Sequence, residues 1–92
     1  MTPPNVEQDS LLTFPCEFPI KIMGRAQPGF AQTMLEIVLR HAPDFDGAGM
    51  EMRASSKGNY LSITCTIMAT SRGQLDDLYR ELSGHELVLM AL

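Results

Sequence analysis

The stretch that decides the fold is residues 55–69, SSKGNYLSITCTIMA, which opens with the turn Lys57-Gly58-Asn59 and then runs on as a strand. Leu, Ile, Cys and Ile occupy odd positions 61 to 67, whereas Tyr, Ser, Thr and Thr occupy even positions 60 to 66. Successive side chains of a strand point to opposite faces, so one face is apolar and the other mostly carries hydroxyls. The stretch therefore predicts a strand near the middle of a sheet, with its apolar face on the core.

The segments around this strand predict the order β-α-β-β-α-β. Alternating or apolar runs predict further strands at residues 17–23, 50–54 and 85–92, and apolar residues at helical spacing predict helices within residues 27–41 and 71–82. We therefore expect an α+β, ferredoxin-like sandwich: a four-stranded antiparallel sheet in the order 4-1-3-2, with two helices on one face. It forms a single domain at residues 11–92, after a polar tail at residues 1–10 that we expect to be flexible.

The ends of the two predicted helices carry recognisable signals. Pro28 suits the first turn of the first helix, where its missing N–H costs nothing. Ser71 and Gln74 form a capping-box pattern at the start of the second helix, in which each side chain bonds the other's backbone N–H. Gly84 lies where a left-handed C-terminal cap is expected.

Composition excludes several classes of function. The chain has 92 residues and a formal net charge of −4, and its seven Lys and Arg residues are scattered, which argues against a nucleic-acid partner. No apolar window reaches the length of a membrane span, and the first residues show neither a basic nor an apolar region of a signal peptide, so we expect no signal peptide, no membrane partner and a cytoplasmic location. Cys16 and Cys65 are far apart in sequence and are interpreted as two small buried thiols.

No constellation of residues predicts catalysis, a metal or a cofactor. Only His41 and His85 could exchange protons near neutral pH, and His41 suits a structural role at the end of the first helix, where a cation is favoured. The methionines favour core filling over a copper site, because soft metal sites gather more sulfur ligands than the Met50-x-Met52 pair offers. We therefore expect no catalytic residues, no metal, no cofactor and no enzyme activity.

The chain resembles the YbeD family of small bacterial proteins that lack an assigned activity. The resemblance is carried by LTFP (residues 12–15), KIMG (21–24), RHAP (40–43), the final VLMAL and above all SSKGNY (55–60). It implies a ferredoxin-like fold of the kind seen in ACT regulatory domains, which bind small effectors such as amino acids between paired copies. It also implies a loose association with lipoate metabolism, and it implies no catalytic residues.

Tracing the chain through the predicted fold gathers three connections at one end of the sheet, at residues 24–27, 55–59 and 83–85. Their backbone would allow close approach of a ligand at two glycines, and the N-terminus of the first helix would attract an anion. We therefore predict a regulatory or ligand-binding domain that senses a small anionic metabolite at this end, through Gly24, Arg25, Lys57, Gly58, Asn59 and His85. The alternative is that both glycines only make turns and the cations are solvated.

A protein–protein adaptor is the alternative function. Met23, Tyr60 and Met68 add apolar surface to the hydroxyl-bearing sheet face, and the last strand is apolar on both parities. A strand of that kind needs cover on both faces, so we expect a homodimer formed either by an outer strand or by stacked sheet faces. The ordinary explanation of Met23, Tyr60 and Met68 is that they are isolated apolar residues on the surface.

Overall fold

The structure, a computed structural model, describes residues 13–92. The predicted tail at residues 1–10 lies outside the described residues. The described elements are β1 (Cys16–Arg25), α1 (Phe30–His41), a short 3-10 helix (Gly47–Gly49), β2 (Met50–Ala54), β3 (Tyr60–Ala69), α2 (Arg72–Ser83) and β4 (Val88–Ala91). The strands form an antiparallel sheet in the order β2-β3-β1-β4, and both helices pack on one face of it. The predicted ferredoxin-like fold and strand order are confirmed.

Strand β3 lies inside the sheet and pairs along its length with β1, from Arg25 opposite Tyr60 to Cys16 opposite Ala69. In the middle of β1 and β3, every residue that faces the helices is buried. The residues between them face the other side of the sheet and are more exposed. The predicted alternation of β3 is confirmed, because Ile63, Cys65 and Ile67 are buried.

The core is a single apolar cluster between the sheet and the two helices. Its fully buried large side chains are Phe30, Ile20, Ile22, Met34, Ile37, Ile63, Ile67, Leu78, Leu82, Val38 and Cys65. No charged or polar residue of the described chain is buried with them. The sheet's other face has no covering layer within residues 13–92, and we call it the open face.

Strand β1 is longer than the sequence predicted, and it contains Pro19. The short strand β4 pairs only with the second half of β1, from Leu92 opposite Lys21 to Val88 opposite Gly24. Lys21 donates its N–H to Leu92, and the backbone nitrogen two residues earlier belongs to Pro19, which lies beyond the end of β4. Proline is therefore tolerated in β1, because no described strand needs a donor there.

Two predictions about helix ends are wrong. Helix α1 begins at Phe30, because Gly29 adopts a positive φ of 84° and places Pro28 in the turn before the helix instead of its first turn. Gly84 has φ −88° and is therefore right-handed, not left-handed. Its N–H bonds to the Arg80 carbonyl at 3.1 Å, so the last helical turn simply continues into the connection to β4.

The start of α2 follows the predicted signal only in part. The Ser71 hydroxyl accepts a hydrogen bond from the Gln74 N–H at 3.1 Å, as an N-cap should. The reciprocal bond does not form, because the side-chain Oε1 of Gln74 accepts instead from the Thr70 N–H at 2.7 Å. The Gln74 amide nitrogen donates to the His41 carbonyl oxygen at 2.8 Å, so this side chain ties the start of α2 to the end of α1.

Both cysteines are free, and only one of them is fully buried. Cys65 is buried, and desolvation raises the pKa of its thiol to about 11, which keeps it protonated and unreactive near neutral pH. Cys16 is half-buried at the start of β1. Cys65 lies opposite Ile20, four residues along β1 from Cys16, so the two thiols are about 13 Å apart along the strand and cannot form a disulfide.

Candidate functional site

The three predicted connections do meet at one end of the sheet. The Ala26 N–H donates to the Asn59 carbonyl oxygen at 2.9 Å, which joins the loop after β1 to the β2–β3 hairpin. Val88 pairs with Gly24, which places the start of β4 against the end of β1. The third connection, predicted at residues 83–85, runs from Gly84 to Leu87 and reaches this end at Leu87 and Val88. Segments 24–27, 55–59 and 85–88 therefore form one surface, and we call it the loop end.

The N-terminus of α1 belongs to the loop end and lacks a side-chain cap. Gly29 is the N-cap residue and offers no capping oxygen. The Phe30 N–H bonds to the Gln27 carbonyl oxygen at 3.2 Å, but within residues 13–92 no acceptor bonds the N–H groups of Ala31 and Gln32. Two free donors at the positive end of the helix dipole are suited to an anion.

The two glycines predicted to admit a ligand have different structural roles. A Cβ on Gly24 would lie 2.4 Å from both the Leu87 carbonyl oxygen and the Cε1 atom of Phe30, so the missing side chain makes room for the protein's own packing. Gly58 has φ 74° and open space beside it, and its N–H bonds to the Ser55 carbonyl oxygen at 2.9 Å. Gly58 makes the hairpin turn and leaves its outer side accessible.

The predicted polar residues of the loop end are not all directed to the same place. Lys57 and Asn59 are exposed in the hairpin. Arg25 pairs with Tyr60 on the parity of the open face, so its side chain lies on the side of the sheet away from the helices. His85 is half-buried, and its Nδ1 accepts a hydrogen bond from the Leu87 N–H at 3.1 Å. In the neutral ring the proton is therefore on Nε2, which can donate.

A second polar cluster joins the helices, and sequence reasoning missed it. The Glu81 carboxylate accepts from the Arg40 guanidinium and lies 2.7 Å from the Nε2 atom of His41. Hydrogen bonds from both partners hold the pKa of Glu81 below its usual range, and the same carboxylate raises the pKa of Arg40. The cluster gives the His41 ring a hydrogen-bond partner and so a structural role, as predicted for a histidine at the end of a helix. The 40-residue separation of the two partners left no local sequence signal.

The charged residues are divided between the two layers of the fold. The helical arginines form ion pairs with helical carboxylates: Arg40 with Glu81, Arg72 with Asp76, and Arg80 with Asp77. The other four cations lie on strands or in the hairpin, and none pairs with a carboxylate in the part of the chain that the structure describes; they are Lys21, Arg25, Arg53 and Lys57. The cations without a described ion pair therefore lie on the sheet side of the molecule, where the strands also carry the carboxylates Glu17 and Glu51.

A groove of about 290 Å³ lies on the open face, away from the loop end. It is lined by Lys21, Glu51, Met52, Arg53, Ser62 and Thr64. None of these residues was predicted as a site residue, although the hydroxyl-bearing parity of β3 was recognised. Predicting the groove also required the register of the strands, because Lys21 and Glu51 both lie opposite Thr64, and Arg53 lies opposite Ser62.

Neither a cluster of metal-ligating side chains nor a helix fit to span a membrane is found among residues 13–92. Residues 13–92 contain no group of three or more His, Cys, Asp or Glu side chains arranged to hold a metal ion. Neither α1 nor α2 is long and apolar enough to cross a membrane.

The sheet order and the helix layer define a ferredoxin-like α+β domain, and solved structures share this fold. A protein of H. pylori with a known solution structure matches with a TM-score of 0.71 and 12% identity, over 88% of this chain and 85% of its own. The ACT domain of a GTP pyrophosphokinase from Chlorobium tepidum matches with a TM-score of 0.57 and 17% identity, over 84% and 97%. These similarities show the fold.

Sequence comparison places the chain in a family. The model of a family described as protein of unknown function, DUF493, matches residues 9–92. A UPF0250 protein of Nitrosomonas europaea is 56% identical, over 92% of this chain and 98% of its own, and one of Bordetella pertussis is 54% identical, over 92% and 93%. The chain belongs to this family, which is the YbeD family, so the resemblance is confirmed.

Proposed function

We propose that this protein is a regulatory, ligand-binding domain that senses a small anionic metabolite at the loop end. The observation that carries the proposal is the uncapped N-terminus of α1, where the N–H groups of Ala31 and Gln32 have no acceptor within residues 13–92. A carboxylate or phosphate would accept from both N–H groups and gain from the helix dipole. The family is uncharacterised and its ACT-like fold supports a binding role over catalysis.

The side chains around the helix end supply the rest of the proposed site. Lys57 projects from a hairpin tied to the first loop by the bond between Ala26 and Asn59. His85 adds an Nε2 donor on the third connection. Arg25 lies at the rim, on the open face, and contributes charge at longer range. The ligand would therefore be held mainly by backbone donors and steered by the cations.

The test is a thermal-shift screen of carboxylates, amino acids and phosphorylated metabolites, followed by amide NMR of any hit. We expect a hit to move the amide signals of Ala31 and Gln32, and its affinity to fall in Lys57→Ala. The matched control is Arg80→Ala, which removes the same charge from an exposed ion pair on α2. A hit that binds Lys57→Ala and the wild type equally, without moving the helix amides, would place the site elsewhere.

A protein–protein adaptor is the second candidate, favoured by strand β4. This edge strand and its end expose Leu89, Met90 and Leu92, with 57%, 47% and 61% of each residue accessible. Lys21 and Leu92 exchange both backbone hydrogen bonds, so the N–H and C=O of Ala91 face outward and are free to pair with another strand. The adaptor would act in the lipoate-linked setting that the family resemblance implies.

The expected partner at β4 is a second copy of the chain. Sedimentation at high micromolar concentration should detect a homodimer, and Met90→Glu should dissociate it, because the carboxylate would be placed against apolar surface. Recovery of a different protein in pull-downs by a monomeric chain would instead favour the adaptor. A monomer that recovers no partner would remove β4 as an interaction surface and leave the anion sensor.

A further inference from the structure

We propose that the groove on the open face is a separate binding site for a small oxyanion, a carboxylate or a phosphate group. This site is independent of the proposed function, since it shares no residue with the loop end. On β1 the groove residue Lys21 lies four residues from Arg25, about 13 Å along the strand. On β2 the groove residue Arg53 lies two residues from Ser55 of the loop end, about 7 Å along the strand. The open face is also on the opposite side of the sheet from α1.

The register of the sheet builds the groove from two neighbouring rows of side chains. One row crosses the strands as Lys21, Thr64 and Glu51, and the next row contains Ser62 and Arg53. Neighbouring strands are about 4.8 Å apart, and residues two apart on one strand are about 7 Å apart. The two hydroxyls therefore form the floor, and the two long cationic side chains stand at diagonally opposite corners.

The chemistry of these groups selects an oxyanion. Ser62 and Thr64 are half-buried in β3 and can each donate an O–H. Lys21 and Arg53 are exposed, and neither forms an ion pair with any of the residues from 13 to 92. An anion lying over the hydroxyls could accept charge-assisted hydrogen bonds from both cations. Two such bonds correspond to a dissociation constant of roughly millimolar.

Glu51 places a negative charge beside the proposed anion site, and this charge allows a specific test of the proposal. Its carboxylate lies in the same row as Lys21, on the far side of Thr64, and two residues from Arg53 on β2. A like charge beside a bound anion weakens binding, so replacing Glu51 should strengthen it. If the groove binds no anion and its cations are only solvated, replacing Glu51 and replacing Lys21 or Arg53 should not have opposite effects on phosphate binding.

The test is an amide NMR titration with inorganic phosphate and with acetate, at constant ionic strength, on the full chain. Phosphate should move the signals of Ser62 and Thr64, with half-saturation at roughly millimolar concentration. Lys21→Gln and Arg53→Gln should each weaken this binding roughly tenfold or more, the worth of one charge-assisted bond. Glu51→Gln should tighten it, and Arg80→Gln, with the same charge change as the first two variants, should leave it unaltered.

Each outcome decides for or against the groove. Unmoved Ser62 and Thr64 signals up to tens of millimolar phosphate, well beyond the roughly millimolar expectation, would overturn the proposal. So would equal weakening in Arg80→Gln and Arg53→Gln, because net charge alone would then explain the effect. Movement of the Ala31 and Gln32 signals alone would support the loop end and reject the groove, so the two proposals fail separately. A far stronger response to phosphate than to acetate would identify the phosphate group as the ligand chemistry.

Discussion

Replacing Gly24 with alanine tests the packing that brings the loop end together. The added Cβ would lie 2.4 Å from the Leu87 carbonyl oxygen and 2.4 Å from the Cε1 atom of Phe30, whereas ordinary contact begins at 3.4 Å. Phe30 is fully buried at the start of α1, and the Leu87 oxygen belongs to the backbone before β4. Neither group can move without shifting its element, so the clash must be relieved by moving α1 or β4 away from β1.

The expected magnitude follows from two opposing effects. Overpacking of this kind costs typically ~1–3 kcal/mol, and contact with two groups puts Gly24→Ala in the upper part of that range. The lower entropy of the unfolded alanine chain offsets ~0.4–1 kcal/mol. We therefore expect the free energy of unfolding to fall by about 1–2.5 kcal/mol, from the overpacking cost less the entropic offset. In a domain of this size the Tm should fall by about 5–15 °C.

Urea and thermal denaturation followed by circular dichroism measure this loss. The matched control is Gly49→Ala, because Gly49 has no positive φ and a Cβ there would meet nothing within 4 Å. Its stability should remain within about 0.5 kcal/mol of the wild type. If Gly24→Ala and Gly49→Ala behaved alike, the close approach of α1 and β4 to the end of β1 would be refuted.

Two further predictions concern the core and the interhelical cluster. Ile63 is fully buried in β3, so Ile63→Ala should cost roughly 2–5 kcal/mol in urea unfolding, and a loss below about 0.5 kcal/mol would contradict its place in the core. The folded state lowers the pKa of Glu81 below its ordinary value of 4.5, so the carboxylate's contribution is complete above that pH and is lost as pH falls through the folded pKa. Wild type should therefore lose stability more steeply than Glu81→Gln on acidification below pH 4.5, and parallel pH profiles would exclude a stabilising role for the cluster.

The fold could be predicted because each element carries its own local signal. The alternation of β3 identifies its buried face, and the Ser71 cap fixes the start of α2. The errors occur where a long-range contact or a backbone angle decides the outcome. Gly29 was not recognised as the residue that starts α1, and Gly84 was assigned a left-handed angle that it does not adopt.

The candidate site was harder to predict, because topology places a segment but not the direction of its side chains. The trace correctly gathered the three connections at the loop end, yet it could not show that Arg25 lies on the open face. Gly24 was assigned to ligand approach, whereas the space beside it holds Phe30 and Leu87. The groove escaped notice because its row of Lys21, Thr64 and Glu51 exists only once the register of three strands is known.

An acidic chain with a net charge of −4 can still bind anions, because its charges are not evenly placed. The carboxylates of α2 neutralise the helical arginines, whereas every Lys and Arg of the strands and the hairpin is without an ion pair to a described residue. Coulomb interactions with a small ligand are set by the nearest groups, since screening in physiological salt acts over about 8 Å. Net charge therefore argues against a polyanion such as nucleic acid, whose many phosphates need a concentration of Lys and Arg, but not against one carboxylate or phosphate held at the loop end or in the groove.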